Sequence, residues 1–290
     1  MGVHALMNSR ASHRSSDEGL VWFPTLREPR YSQSLERGLG ILGVYTPERP
    51  VLGIAELADE LGMSRSTTHR YVITLVALGF MEQVSNRKYR LGMRVTDLGM
   101  SVLNSTGLRE HSRPYLEELR QRSSFTVSLA VLDGAEIVYV DRARSFRRGQ
   151  HRIDMNLRVG SRLPAHCTAM GKVLLAYMPE VEQRELIATM TLAKRGPNTI
   201  TTKKALLEEL AHVHEEGVAV NDEELLAGLI SIAAPIRSES REVVAALSMA
   251  AHTDMISLDQ LVDQLLSHLL ATADQISARL GYRRDDEVTR

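Results

Sequence analysis

Between residues 52 and 91 the apolar positions change their period. Ile54, Leu57, Ala58 and Leu61 recur at i, i+3, i+4 and i+7, the stripe of an amphipathic helix. Gly62 then supplies a left-handed helix stop, and Ser64 is a good N-cap for a second helix. In that helix Thr68, Tyr71, Val72, Leu75 and Val76 fall on one side when wound at about 100° per residue. That side is predicted to pack inward. Ser66, Thr67, Arg70 and Ile73 project away from it, with Arg65 and His69 on the flank. Residues 80–84 and 88–91 are short β-prone runs around the polar turn Ser85-Asn86-Arg87, which predicts a hairpin. Two helices meeting at a glycine turn, then a basic hairpin, make the layout of a winged helix-turn-helix.

Elsewhere the pattern predicts a first helix over residues 34–45, capped by Ser34, with Leu35, Leu39, Leu42 and Tyr45 as its buried stripe. A further amphipathic helix follows over 94–106, carrying Val95, Leu98, Val102 and Leu103, and a role in dimerisation is favoured for it. Helices are also predicted over 108–123, 168–178, 181–190, 203–216 and 256–280. Strands are predicted over 126–132, 136–140, 153–159, 218–220, 229–235 and 243–249, with Leu163-Pro164 breaking the third. Asp133-Gly134 between the first two is a strong hairpin signal. Strand pairs interleaved with helices, without strict βαβ alternation, suggest an α+β domain with a largely antiparallel sheet. The expected organisation is a polar leader over 1–32, a DNA-binding unit over 33–92, a linker helix over 93–107, a larger domain over 108–282 and a tail over 283–290.

Composition changes this picture little. A chain of 290 residues is long enough for two domains. The net charge of −1 makes no case for a nonspecific polycation or a membrane surface. One cysteine, Cys167, cannot form an internal disulfide and fits a reducing, cytoplasmic setting. No run reaches the roughly 18 apolar residues of a membrane helix. The histidines lack metal-ligand spacing, so no metal and no cofactor is expected. Charge matters locally, however. From Ser64 to Gly92, Arg65, Arg70, Arg87, Lys88 and Arg90 stand against Glu82 alone, a balance of +4.

That concentration on the reading helix and hairpin is the electrostatic footprint of phosphate contact. The expected DNA-binding residues are Arg65, Ser66, Thr67, Thr68 and Arg70 on the helix, and Arg87, Lys88 and Arg90 on the hairpin. An arginine on the helix suits the bidentate pairing of a guanine edge, worth about 1–3 kcal/mol of discrimination. Hairpin cations place a protein on phosphates without reading sequence. Thr68 faces partly inward in this winding. The bland alternative is a helical hairpin with a solvated basic face.

The segments QSLERGLGIL, GIAELADELGMSRSTTHRYVITLVALGF and YRLG together resemble the N-terminal domain of IclR-family transcriptional regulators. LPAHCTAMGKVLLA (163–176) and NDEELLAGLISIAAPI (221–236) are similar to that family's effector-domain motifs. The resemblance runs colinearly over roughly 33–281 and leans toward the branch that regulates protocatechuate and β-ketoadipate catabolism. It implies a winged helix-turn-helix, a linker helix and a GAF-like effector domain. It implies double-stranded operator DNA and a small organic acid effector as partners, and homodimers that pair further into dimers of dimers. Carried over residue by residue, the effector positions are Ala169, Met170, Asn221, Ser231 and Ser248, with Asp222 beside Asn221.

Backbone N–H groups at the start of a helix near 168 suit a carboxylate. Asn221 stands where an Asp is frequent in the family, Ser231 where a Cys occurs, and Ala250 where a second serine occurs. Fewer polar groups point to a larger or more apolar effector than a two-carbon acid. His166-Cys167 invites a nucleophile–base reading, but adjacent residues seldom aim side chains at each other and no third orienting group is evident. Cys167 reads better as a packed small hydrophobe, and no catalytic residue is expected. A competing function is a small-molecule sensor that acts through protein–protein contacts without specific DNA binding.

Overall fold

The computed structural model describes residues 32–104, 107–145 and 157–283. The expected leader and most of the tail lie outside them. The chain divides into two compact units, one ending at Ser105 and the other beginning at Thr106.

The first unit comprises α1 (Gln33–Gly43), β1 (Leu52–Gly53), α2 (Ile54–Glu60), α3 (Arg65–Ala77), β2 (Met81–Ser85), β3 (Lys88–Leu91) and α4 (Arg94–Asn104). The short β1 was not anticipated. It pairs with β3, giving a three-stranded antiparallel sheet ordered β1-β3-β2. Gly62 (φ 62°) turns the chain between α2 and α3, and Ser64 caps α3 by accepting the Thr67 N–H at 3.2 Å. Ile41, Leu57, Val72, Met81 and Tyr89 form the core of this unit.

Helix α1 departs from expectation. Ser32, not Ser34, caps it, accepting the Leu35 N–H at 3.4 Å. Leu35 and Leu39 are 63% and 59% exposed, whereas Ile41 is fully buried. Leu39 and Ile41 lie about 200° apart around a helix, so both cannot face inward. The inward row holds Gly38, where even a Cβ would reach Tyr71 of α3 at 3.9 Å. Packing against α3 therefore selects the Gly38–Ile41 side.

The second unit comprises α5 (Leu108–Ser123), β4 (Thr126–Asp133), β5 (Glu136–Ala143), β6 (Arg162–Pro164), a 3-10 turn (Ala165–Cys167), α6 (Ala169–Ala176), α7 (Glu180–Thr189), α8 (Lys203–Glu216), β7 (Ala219–Asp222), β8 (Leu229–Arg237), β9 (Val243–His252) and α9 (Leu258–Arg279). Its strands form one antiparallel sheet ordered β6-β5-β4-β9-β8-β7. The class is α+β. Of the strand expected over 153–159, residues 153–156 lie outside the described residues and 157–159 are not strand. A strand, β6, forms where a break was expected. Pro164 is tolerated there because β6 is an edge, and an edge strand can spare an N–H.

Helices α5 and α9 cover one face of this sheet and α6 the other. Every residue of α6 is buried, Lys172 included. An ammonium taken from water costs several kcal/mol unless it is paired, and here it meets Glu209 Oε1 at 2.7 Å and Glu224 Oε1 at 2.5 Å. Burial pushes the Glu224 carboxyl up even beside that ammonium. The first turn of α6 lies so close to the 3-10 turn that a Cβ on Gly171 would stand 2.1 Å from the Ala165 carbonyl oxygen. Backbone cannot yield as a side-chain tip can. Gly171→Ala is therefore expected to lower stability by about 1–3 kcal/mol or more, read as an earlier urea midpoint for the second unit.

Candidate functional site

In the first unit, α3 sorts its residues as a reading helix would. Arg65, Ser66, His69, Arg70 and Ile73 are exposed and Thr67 is half-buried. Ser64 Oγ donates to Thr67 Oγ1 at 2.8 Å and lies 3.1 Å from Ser66 Oγ, so the leading hydroxyls form one cluster. Neither Arg65 nor Arg70 has an acidic partner among the described residues. Thr68 is the exception to the expected set. It is fully buried, and its hydroxyl donates to the Ser64 carbonyl at 3.1 Å. It braces the helix and cannot touch a base edge from there, as its place on the inward stripe dictates.

The hairpin's charge is less available than the count implied. Lys88 Nζ lies 2.5 Å from Glu56 Oε2, and Arg90 Nη2 2.8 Å from Glu82 Oε2. Glu56 escaped the sequence count because it belongs to α2. Its carboxylate also accepts the Gly53 N–H at 2.7 Å, and these bonds hold it below the usual carboxylate range. Arg87, at the turn, has no acidic partner among the described residues.

In the second unit, a cavity of about 40 Å³ lies between the sheet and α6. On the same measure a water needs about 10–15 Å³, so the space suits about three waters. Ala169, Met170, Asn221, Ser231 and Ser248 line it, as do Ser128, Tyr139, Arg142, Leu157, Leu163, Thr168, Leu225, Leu229 and Ala250. Asp222 does not. Alternation along β7 turns Asn221 inward and Asp222 to the exposed side, where Asn198 Nδ2 reaches the Asp222 carbonyl at 3.1 Å. The Asn221 amide is committed locally, donating to the Cys167 carbonyl at 2.7 Å and accepting the Glu224 N–H at 3.2 Å.

Arg142 is the wall residue with a permanent charge. In register, Ala130 faces Tyr139 and Leu129 faces Asp141, so Val140 is an extra residue, a β-bulge. The bulge breaks the alternation and puts Tyr139 and Arg142 on the same face. Arg142 then stands opposite Ser128, which also stands opposite Ser248 on β9. Its Nη1 donates to the Leu157 carbonyl at 2.8 Å, and burial pulls its pKa below the usual arginine value. A guanidinium still does not discharge in a protein.

Two family profiles match the chain: "IclR helix-turn-helix domain" over residues 34–85 and "Bacterial transcriptional regulator IclR C-terminal" over residues 100–278. This chain belongs to the IclR family of bacterial transcriptional regulators. Among its relatives, the HTH-type transcriptional regulator XynR of Escherichia coli (strain K12) is 34% identical, covering 86% of this chain and 98% of XynR. The Pca regulon regulatory protein of Pseudomonas putida is 32% identical, over 87% of this chain and 86% of the relative. A crystal structure of an IclR homologue complexed with 4-hydroxybenzoate, from Microbacterium hydrocarbonoxydans, superposes with a TM-score of 0.74 at 30% identity, covering 86% and 99% of the two chains.

An IclR-family chain is a regulator rather than an enzyme, and the chemistry of His166-Cys167 agrees. Burial pushes the Cys167 thiol up to about 12, which leaves almost no thiolate at neutral pH. The residues that sequence reasoning missed at the cavity include Ser128, Tyr139, Thr168 and Arg142. Ser128 interrupts an apolar run as Ser248 does, a signal that was available. For Arg142 none was, because a bulge has no residue signature here. Among the described residues no cluster of His, Cys, Asp and Glu could hold a metal, and no helix is long and apolar enough to cross a membrane.

His166 is 1% exposed, with Nε2 3.2 Å from the Ala193 carbonyl oxygen, and burial lowers its pKa from the usual 6.5. The folded ring stays neutral where the unfolded ring protonates. Its contribution to stability is thus present above pH 6.5 and lost as pH falls below it. Urea unfolding between pH 7 and pH 5 is expected to show His166→Gln losing less stability than wild type, by at most about 1.4 kcal/mol per pH unit.

Proposed function

We propose that this regulator is a cytoplasmic homodimer that binds a specific double-stranded operator, and that a small aromatic carboxylate held in the second unit alters its operator affinity. The observation that carries the effector reading is the guanidinium of Arg142 in a cavity whose walls, among the described residues, also bring hydroxyls, one amide and apolar side chains. A guanidinium beside hydroxyl and amide groups suits an anion, and Met170, Leu163, Leu225 and Leu229 suit a ring. The first-turn N–H groups of Ala169 and Met170 add donors at the positive end of α6. A ring-bearing acid exceeds the space of about three waters, so its binding requires the walls to part. The complex of the Microbacterium relative with 4-hydroxybenzoate supports the same chemical class. The target is a catabolic operon, in line with the Pca regulon that the Pseudomonas relative regulates.

For DNA, α3 supplies base contacts through Arg65, Ser66, Thr67 and Arg70, and Arg87 supplies a phosphate contact. Lys88 and Arg90 join it only by leaving Glu56 and Glu82. Exposed pairs of this kind are worth at most about 1 kcal/mol each, so phosphate can displace them. The exposed Leu35 and Leu39 of α1, with Met93 and with Leu98 of α4, offer apolar surface for a second copy. Two-fold pairing implies half-sites about one helical turn apart.

Two experiments test this reading. Selection of duplexes from a random pool should recover a palindrome or near-palindrome. Arg65→Ala with Arg70→Ala should abolish the preference for it, while Arg87→Ala should weaken all duplexes alike and reduce the salt slope by about one. Affinity unchanged by the double substitution would favour the protein–protein sensor instead. A thermal-shift screen of organic and aromatic acids should show aromatic carboxylates raising the melting temperature of wild type and not of Arg142→Met. Calorimetry finding glyoxylate tighter than the aromatic acids would overturn the effector class.

A further inference from the structure

The strand that delivers Arg142 to the cavity carries, one residue earlier, a carboxylate sealed on the opposite face. Asp141 has a side chain 1% exposed. The same bulge at Val140 that aims Arg142 at α6 aims Asp141 at α5. Its Oδ1 accepts from Arg113 Nη1 at 2.6 Å and from the peptide N–H of Arg142 at 2.7 Å. Its Oδ2 is buried and accepts no hydrogen bond among the described residues, with Arg109 Nε 3.9 Å away. Arg109 and Arg113 lie one turn apart on α5, so they share a face of that helix. One oxygen is therefore fully engaged, and the other stands a short approach from a second charge-assisted bond.

We propose that Asp141 is a positioning residue that couples occupancy of the effector cavity to the first turn of α5, with Asp141–Arg109 as the contact that changes. The proposal rests on reading the cavity as a carboxylate site at Arg142. A ligand that pairs with the Arg142 guanidinium acts on the residue whose N–H Asp141 holds. Movement of that peptide carries the carboxylate with it, and Oδ2 either closes on Arg109 or withdraws. Arg109 belongs to the turn where α5 begins, directly after the chain leaves α4. Two discrete arrangements of an ion pair whose carboxylate is buried and whose arginine is half-buried are the kind of bistable contact that a ligand can bias. A clip that served only to hold α5 on the sheet would do so equally with and without ligand.

The test uses the full chain, 4-hydroxybenzoate as probe, and a duplex selected by the wild-type chain from a random pool. Calorimetry reads the probe's affinity. The ratio of DNA dissociation constants with and without saturating probe reads the coupling. Arg109→Gln, which keeps the Arg113 pair, should bind the probe within about threefold of wild type while its ratio falls to within about twofold of one; a wild-type coupling of about 5–150-fold is the ordinary range. Arg109→Lys should retain a ratio clearly different from one, and Asp141→Asn should behave as Arg109→Gln does. A wild-type ratio preserved in both Arg109→Gln and Asp141→Asn would overturn the coupling and leave the effector reading intact. A wild-type chain that does not bind the probe would overturn the aromatic-acid reading, and the coupling with it.

Discussion

A helix with no solvated side has to match any charge it carries from inside the fold. That constraint governs the second unit. Helix α6 is buried all round, and Lys172 is its single charge. The ammonium is met by Glu209 from α8 and by Glu224 from the loop between β7 and β8. The same loop is fastened again where Thr199 Oγ1 donates to the Glu224 carbonyl at 2.6 Å and where the Gly196 N–H reaches it at 3.0 Å. Leu225 in this loop and Leu229 at the start of β8 form walls of the cavity under α6. A charge that must be neutralised thus also fixes where one side of that cavity stands. Breaking such a pair by removing one partner costs about 3–5 kcal/mol, so the geometry of the site is held as firmly as the core.

The sheet adds a second constraint. Alternation divides each strand between the α6 face, with Ser128, Ser248 and Ser231, and the α5–α9 face, with Leu129, Leu247 and Ile230. On β5 the bulge at Val140 exchanges the two. Without it Arg142 would point at α5 and Asp141 into the cavity, putting a carboxylate in place of a guanidinium. One inserted residue therefore decides the sign of charge that the cavity presents.

Much of the fold was legible where local chemistry sets an element. The helices predicted over 108–123 and 203–216 are α5 and α8 to the residue, because their ends carry local stops: Gly107 and Ser124 in the left-handed region, and Thr202 and Gly217 at the caps. The helix-turn-helix was legible because Gly62 and Ser64 act on their own neighbours. The face of α1 was not, since two apolar rows compete and contact with Tyr71 on α3 decides between them. The partners of Lys172 lie 37 and 52 residues away, beyond any periodicity. Five of the expected effector residues meet at one cavity, while Arg142, its only permanent charge among the described residues, came from a bulge that no residue type announces.

The tip of the hairpin shows a different compromise. Arg87 sits at φ 60°, a conformation that glycine adopts without cost and a β-carbon resists. Its neighbours Lys88 and Arg90 are engaged by Glu56 and Glu82, whereas Arg87 has no acidic partner among the described residues. Drift toward glycine at this position would relax the isolated protein while removing a hairpin cation. If that cation meets phosphate as proposed, selection for durability and selection for operator occupancy pull this one position in opposite directions.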